Sequence, residues 1–192
     1  MSTPANATTN TEQKEQFPII AAYGKNGFLK IKSALDMDDK GENYGKIVFS
    51  FVNAINPAKF VDCYMDVHEF NIFMEKIHKG ELKELLASGK TYTSNYGGKM
   101  DNGSPISRYF TVGKSSITDY FFTGQKYPAE KTDKGAYKPK SGAKALVQVQ
   151  VPISQDVFEE RYEVWKTLYR KYLDRCITLD RFKDPYVKGQ QQ

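Results

Sequence analysis

The side chains most often used in catalysis or metal binding are few in this chain and are not grouped. The two histidines, His68 and His78, are ten residues apart on one predicted helix, and neither belongs to an HExxH motif. Together with Cys63 they do not form a trio at the spacing of a metal site. The sequence also lacks a Walker-type lysine loop, a GxGxxG turn and a GxSxG nucleophile motif. We therefore predict no metal, no cofactor and no enzymatic activity, and we interpret both histidines as ordinary helix-surface residues.

Acidic residues are paired at two places, and local structure accounts for both pairs. Asp38-Asp39 falls in a predicted turn, and Glu159-Glu160 falls in the first turn of a predicted helix, where carboxylates favour the positive end of the helix dipole. The turn at 36–45 also has the acidic composition of a calcium-binding loop. Its fifth position, however, is a lysine and its twelfth is an isoleucine, where a bidentate glutamate is required. We predict no calcium site there.

Aromatic and basic residues, by contrast, are closely interleaved between residues 90 and 144. Flat rings stack on unpaired bases at about 1–3 kcal/mol each, and cations follow the phosphates, so this mixture is typical of single-strand binders. Strand alternation turns about half of these rings toward the core, and the sequence leaves open which half. With a second group in earlier strands, the predicted nucleic-acid-binding residues are Phe28, Lys30, Lys32, Lys46, Tyr92, Tyr96, Lys99, Arg108, Tyr109, Lys114, Tyr120, Lys126, Tyr127, Lys138, Lys140 and Lys144.

The positive charge of the chain is concentrated in the same stretch. The net charge is +5 over the whole sequence. Residues 90–144 hold ten Lys/Arg and four Asp/Glu, a net +6, which leaves 18 and 19 elsewhere, a net −1. This distribution favours a polyanionic partner, with a solvated basic surface as the alternative. Both long predicted helices begin with acidic residues, whereas a helix that reads duplex DNA usually presents basic ones, so we predict a single-stranded ligand. The choice between DNA and RNA stays open.

A strand that runs directly into a helix is the clearest structural element of the chain. Residues 146–151 alternate β-branched residues with glutamines, and Pro152 ends the strand because it has no N–H to donate. The helix begins at Ser154 or Asp156, with Glu159 placed to complete a capping box. An earlier segment, 59–78, has the same order, with Asp66 as its predicted N-cap. The two helix starts, DVHE and DVFE, lie 90 residues apart.

Further strands complete two similar halves. Alternation and turn residues predict two strands around 24–27 within 17–35, then strands at 46–54, 59–64, 90–100, 105–115 and 116–127, a short helix at 81–87 and a mobile basic loop at 128–143. Phe28, Lys30 and Lys32 share one strand face, which either binds nucleic acid or is a solvated surface. Runs of strands closed by a helix indicate an α+β fold with antiparallel sheets. We predict tandem repeats of four antiparallel strands and a helix, about 17–88 and 89–176, in which two sheets pack with two helices.

These units place the domain boundaries. We predict a disordered N-terminal tail at 1–16, a single nucleic-acid-binding domain at 17–176 and a loosely ordered C-terminal tail at 177–192.

The segments VQVPISQDVFEERYEVW (149–165) and CYMDVHEFNIFMEKI (63–77) carry a family resemblance. The repeated order of four strands and a helix resembles the Whirly fold of single-stranded-DNA-binding proteins, and each unit is similar to the transcriptional-coactivator domain that builds the same shape by dimerising. Residues 140–146 are a loose likeness of the Whirly motif KGKAAL, but they precede the second helix instead of lying in an early strand. The resemblance implies DNA strands bound across the sheet faces and a homotetramer.

The sequence therefore predicts a non-enzymatic single-stranded-DNA-binding protein of low sequence specificity, acting in DNA replication, recombination or transfer, with RNA as an alternative ligand. We also expect a homo-oligomer, either a dimer or a tetramer. Two alternatives are an OB-fold single-strand binder and a structural or assembly protein that binds another protein through a tyrosine-rich sheet. Two isolated cysteines, Cys63 and Cys176, no apolar run near 18 residues and an N-terminus without a secretory signal predict a cytoplasmic protein that is not membrane-bound.

Overall fold

The computed structural model of the protein describes residues 17–34, 45–133 and 135–178, with side chains as far as residue 174. The predicted tail at 1–16, nearly all of the predicted turn at 36–45 and the segment 179–192 lie outside the described residues. Within the described part, the protein is an α+β structure with two antiparallel sheets and three helices.

The first sheet is a simple meander of four strands. Its strands are β1 (Phe17–Gly24), β2 (Gly27–Ala34), β3 (Lys46–Asn53) and β4 (Phe60–Asp66), hydrogen-bonded in that order. Gly24 and Gly27 face each other across the first turn, as predicted. Alternate residues such as Leu29, Ile31 and Phe49 are fully buried, which makes one face of the sheet part of the core.

The second sheet has six strands arranged in four rows. They are β5 (Tyr92–Thr93), β6 (Gly97–Asp101), β7 (Ser104–Lys114), β8 (Tyr120–Lys131), β9 (Tyr137–Pro139) and β10 (Val147–Ile153). The long β7–β8 hairpin forms the centre. Both β5 and β6 pair with the outer edge of β7, and both β9 and β10 pair with the outer edge of β8. The predicted count of four strands is therefore wrong for this sheet, because each outer row is interrupted.

One end of the second sheet is curled. β6 and β9 lie on opposite edges, yet a Cβ added to Gly98 of β6 would fall 2.2 Å from Cβ of Tyr137 in β9. The Ser107 hydroxyl between them donates to the Tyr137 carbonyl oxygen at 3.3 Å. The interpretation of residues 128–143 as a loop was thus only partly right, since β8 continues to Lys131 and β9 returns alongside it.

The inner faces of the two sheets pack against each other and enclose one core. The rings of Phe49 and Phe110, one from each sheet, are stacked with centroids 4.4 Å apart. Gly124 in β8 allows Phe51 to approach closely, because an added Cβ would lie 2.4 Å from that ring. The described strands form two packed sheets, whereas the OB-fold alternative has one five-stranded barrel.

The helices pack on the sheets, and the two long ones contact the inner faces of both. They are α1 (Val67–His78), α2 (Glu81–Ala87) and α3 (Gln155–Thr178). Phe73 of α1 lies within 6.4 Å, centroid to centroid, of rings from both sheets. Trp165 of α3 is fully buried and packs edge-on against Phe70 of α1. Because both long helices bury their apolar sides inward, the outer sheet faces are not covered by them.

The helix N-termini differ from the predicted capping boxes. Asp66 is at the N-cap of α1, as predicted, but it makes no side-chain cap hydrogen bond and pairs with Lys46. For α3, the first backbone N–H, that of Gln155, donates to the Asp119 carboxylate at 2.9 Å. That bond, followed by one from Lys83, lowers the pKa of Asp119. A residue distant in sequence therefore caps α3.

Both histidines join α1 to α3 and are not isolated surface residues. His68 Nδ1 lies 2.8 Å from the Tyr169 hydroxyl, and His78 Nδ1 lies 2.6 Å from the Glu159 carboxylate. The His78 ring also stacks on Tyr162, with centroids 4.0 Å apart. These contacts align the two helices in antiparallel orientation.

Glu75 is the charged centre of the same helix pair, and its environment predicts an acid dependence of stability. It accepts hydrogen bonds from Lys166 Nζ at 2.8 Å and the Tyr162 hydroxyl at 2.7 Å, which lower the pKa of its carboxyl from 4.5 to about 2. A lowered folded-state pKa means that the carboxylate stabilises the fold above about pH 4.5, and that this contribution is lost as the pH falls toward 2.

We expect Glu75→Gln to reduce the unfolding free energy by about 1 kcal/mol at pH 7, and the difference from wild type to shrink steadily between pH 4.5 and pH 2. Urea unfolding followed by circular dichroism at several pH values measures it. A difference that stays constant down to pH 2 would contradict the assignment.

Candidate nucleic-acid interface

The outer face of the second sheet presents a continuous set of hydroxyl and amide side chains. β7 and β8 alternate, so Phe110 and Phe122 point into the core while their neighbours point outward. Cross-strand pairing then aligns the outward residues in rows. We call this surface the tyrosine face; it comprises Tyr96, Tyr109, Tyr127, Thr111, Thr123, Gln125, Gln148 and Gln150, of which Thr123 is buried beneath its neighbours.

The three tyrosines of this face contact one another. The rings of Tyr109 and Tyr127 are nearly parallel, at 11°, with centroids 5.8 Å apart, and Tyr96 meets Tyr109 edge-on at 5.0 Å. Tyr96 is 56% exposed, and the other two rings are half-buried. The curled end of the sheet bounds them on one side, because Ser107, the register partner of Tyr127, is fully buried and contacts Tyr137 of β9. The arrangement offers a flat base a ring to stack on, with polar groups alongside.

Tyr109 stays uncharged over the working pH range. Its partial burial, and then its hydrogen bond with Tyr127, raise the pKa of the phenol to about 12. A phenolate at this position would repel phosphate, so a neutral ring is the form that suits a nucleic acid ligand.

The neighbouring edge of the tyrosine face is basic. The segment after β9 lies against β8, because the backbone N–H of Lys140 donates to the Pro128 carbonyl and that of Leu146 donates to the Lys126 carbonyl. Lys140 and Lys144 in this segment are exposed and make no ion pair with any described residue. Lys138 in β9 is exposed but pairs with Glu130 at 3.1 Å. Two lysines without an ion pair to a described residue therefore lie in the segment whose backbone is hydrogen-bonded to β8 on either side of Tyr127.

Three other predicted cations, Lys99 in β6, Arg108 in β7 and Lys126 in β8, fall at strand positions on the opposite side from the tyrosines. Arg108 and Lys126 are register partners, each adjacent in sequence to a tyrosine of the outer face, so alternation turns them inward at the curled end. Lys126 pairs with Asp101 at 2.6 Å, and these bonds, with Lys99 and Arg108 nearby, lower the pKa of Asp101. The Arg108 guanidinium lies 5.3 Å from the ring centroid of Tyr64. The aromatic–basic interleaving of the sequence is thus divided between two faces.

Two predicted contact residues belong to the core. Tyr120 is fully buried, and its hydroxyl donates to Gln155 at 3.1 Å. Tyr92 packs 5.0 Å from Phe73, and burial raises the pKa of its phenol. Neither ring faces outward with the tyrosine face, because both fall on the inward positions of their strands. Lys114, at the end of β7, is exposed beside Tyr120 and away from the tyrosine cluster.

The remaining predicted residues lie on the outer face of the first sheet. Phe28, Lys30 and Lys32 do share one face, as predicted, and Lys30 Nζ lies 5.4 Å from the Phe28 ring centroid. Lys46 is on β3 and is occupied by its ion pair with Asp66. The two sheets are back to back, so these residues and the tyrosine face point in opposite directions.

Sequence reasoning missed the polar half of the tyrosine face. Thr111, Thr123 and Gln125 were not selected, although the glutamines of β10 were recognised as one face of that strand. The signal in the sequence was the recurrence of Thr and Gln at alternate strand positions. Only the cross-strand register shows that these residues lie on the same face as the tyrosines.

The described residues show little else that suggests another chemistry. They contain no group of three or more His, Cys, Asp or Glu side chains arranged to hold a metal ion. Burial raises the pKa of the Cys63 thiol to about 12, so this side chain is not a nucleophile at neutral pH. A cavity of about 220 Å³ between α1, β4 and β5 is lined by Tyr64, Tyr92 and other side chains. No helix in the described part of the chain has the length and apolar character needed to cross a bilayer.

Comparison with known proteins gives no relative from which to transfer a function. No protein-family model matches the chain, and no curated protein matches it significantly. The class that the structure itself defines is an α+β protein of two packed antiparallel sheets with an exposed, tyrosine-bearing outer face.

Proposed function

We propose that the protein binds single-stranded DNA with low sequence preference and without catalysing a reaction, and that the strand lies on the tyrosine face. The observation that carries this proposal is the contacting trio Tyr96, Tyr109 and Tyr127 on the outer face of the second sheet, in which Tyr96 is exposed and the other two rings are half-buried. A single strand has free base faces to stack on such rings, whereas a duplex does not.

The charge distribution supports the same ligand. The exposed Lys140 and Lys144 stand along the edge of the face beside Tyr127, where a phosphate backbone would run while its bases stack. Thr111 and the three glutamines supply both donors and acceptors to base edges, which suits tolerance of sequence more than selection of one base.

The element order is also consistent with a Whirly-like tandem repeat, which we propose as the architecture. Each half consists of an antiparallel sheet followed by a helix that packs on the inner sheet faces, and α1 and α3 meet antiparallel between the halves. On this interpretation the role lies in DNA replication, recombination or transfer, inside the cell.

Fluorescence anisotropy with a labelled thymidine oligomer of about 30 nucleotides tests the proposal. We expect tight binding at low salt, an affinity that falls with a log–log slope of about −0.7 per phosphate contacted, and no competition from a matching duplex. A uridine oligomer of equal length distinguishes RNA from DNA. Absence of binding at micromolar protein in low salt would exclude the proposed function.

A further inference from the structure

The outer face of the first sheet is a second uncovered surface with a different composition. The register of its strands arranges outward side chains in rows across the sheet. One row is aromatic and aliphatic and consists of Tyr23, Phe28, Val52 and Phe60. The next row carries both signs of charge and consists of Ala21, Lys30, Ser50 and Asp62.

Several large aromatic side chains of this face are exposed to solvent. Tyr23 is 72% exposed, Phe60 is 51% exposed and Tyr64, two residues farther along β4 from Asp62, is 47% exposed. The Arg108 guanidinium of the second sheet borders this patch at Tyr64, 5.3 Å from the centroid of that ring. A contiguous set of exposed aromatics within one sheet face is the kind of patch that marks a protein interaction site.

The charged row determines which partner fits. Lys30 on β2 and Asp62 on β4 lie two strands apart, separated by Ser50, and neither forms an ion pair with a described residue. The cation lies on one side of β3 and the anion on the other, so two copies of this surface can pair their opposite charges.

We propose that this face is the interface of a homodimer, with the two-fold axis running along the strand direction near β3. Such an axis exchanges the two sides of the sheet, so it brings Lys30 of each copy to Asp62 of the other and Phe28 to Phe60. An in-plane axis perpendicular to the strands would bring Lys30 to Lys30 and Asp62 to Asp62, which like-charge repulsion disfavours. Two twisted sheets that pack face to face keep their strand directions within about 30° of each other, and the first arrangement meets this condition.

The size of the face sets the expected strength. Four strands about 4.8 Å apart and three outward rows about 6.6 Å apart cover roughly 19 by 20 Å, so the dimer buries on the order of 1,000 Å² in total. That is the lower end of specific interfaces, and we expect a dissociation constant in the micromolar range. The surface chemistry selects a second copy of this chain, and it leaves the tyrosine face of each copy free.

A charge exchange tests the symmetry directly. Sedimentation velocity of the full chain at about 1 to 200 µM is expected to show a rise from 21.9 kDa toward twice that mass. Lys30→Asp alone and Asp62→Lys alone each place like charges opposite one another and are expected to stay monomeric. An equal mixture of these two variants restores both ion pairs in a heterodimer, and so does the double variant paired with itself.

Recovery in the mixture also shows that each variant is folded, since an unfolded chain could not complement its partner. Ser50→Lys adds a cation near the axis and is expected to prevent dimerisation as well. A wild-type mass of 21.9 kDa at every concentration, unchanged dimerisation of the single variants, or failure of the mixture to dimerise would each overturn the proposal. Single variants that lower the affinity for a thymidine oligomer at unchanged mass would instead assign this face to the nucleic acid.

Discussion

Replacing Tyr109 with alanine is expected to weaken single-stranded DNA binding by roughly 5- to 150-fold, which corresponds to the loss of about 1–3 kcal/mol of stacking. Tyr109 is the middle ring of the trio, so its removal also leaves Tyr96 and Tyr127 without their shared neighbour. Anisotropy with the labelled thymidine oligomer at fixed salt measures the change. Because the Tyr109 pKa is about 12, the affinity is expected not to fall between pH 7 and pH 9 through this group.

The matched control is Tyr109→Phe, which keeps the ring and loses only the hydroxyl; its affinity is expected to remain within about twofold of wild type. Ile117→Ala, at an 80% exposed position in the β7–β8 turn, controls for surface changes away from the face. If alanine and phenylalanine at position 109 bind equally well, stacking on this ring is not part of recognition. Circular dichroism melts must show that all three variants are folded.

Trp165→Ala is expected to destabilise the protein by about 3–5 kcal/mol, a large part of the stability of a typical domain. Trp165 is fully buried, packs edge-on against Phe70 at 4.6 Å, and donates its indole N–H to the Asn71 side chain at 3.2 Å. Its loss leaves a cavity between α1 and α3 and an amide without its partner. Urea unfolding followed by far-ultraviolet circular dichroism measures the change, because the variant lacks the only tryptophan of the chain.

Trp165→Phe is expected to reduce the unfolding free energy by less than Trp165→Ala. The phenyl ring still fills most of the cavity, so the variant loses mainly the hydrogen bond and part of the side-chain volume. Equal destabilisation by alanine and phenylalanine would show that the indole N–H, and not packing, is what matters at this position. A change below about 1 kcal/mol for alanine would contradict the position of α3 against α1.

Local patterns predicted the first sheet and the long helices well. Strand alternation at Phe28, Lys30 and Lys32 depends only on backbone geometry, so the sequence was sufficient to place those three residues on one face. The buried side of α1 follows from an equally local rule, since Phe70, Met74 and Ile77 recur in the sequence at helical spacing and are buried in the structure. Gly80, with φ of 76°, follows the end of that helix in the left-handed conformation that glycine adopts without strain.

The candidate site could not be predicted from the sequence alone, because residues adjacent in sequence face opposite sides of the sheet. Arg108 and Tyr109 are neighbours in sequence, yet one lies at the inward position of β7 and the other on the tyrosine face. Which side faces the core is decided by Phe49, more than fifty residues earlier, since it stacks on Phe110. Tyr120 is buried for a related reason: it is two residues from Phe122 in β8, so both side chains point to the core side of the strand. Composition alone carries no information about such distant partners.

The pairing of α1 with α3 has a consequence for how the chain folds. Its contacts join residues 81 and 101 positions apart, His78 with Glu159 and His68 with Tyr169. Closing so long a loop is entropically slow, whereas the β1–β2 and β7–β8 hairpins form from near neighbours. We therefore expect the helix pair to assemble late, with the inner faces of both sheets accessible to water until Trp165 docks. During synthesis the first half must wait for α3, which places the greatest risk of misassembly before the last turns of that helix leave the ribosome.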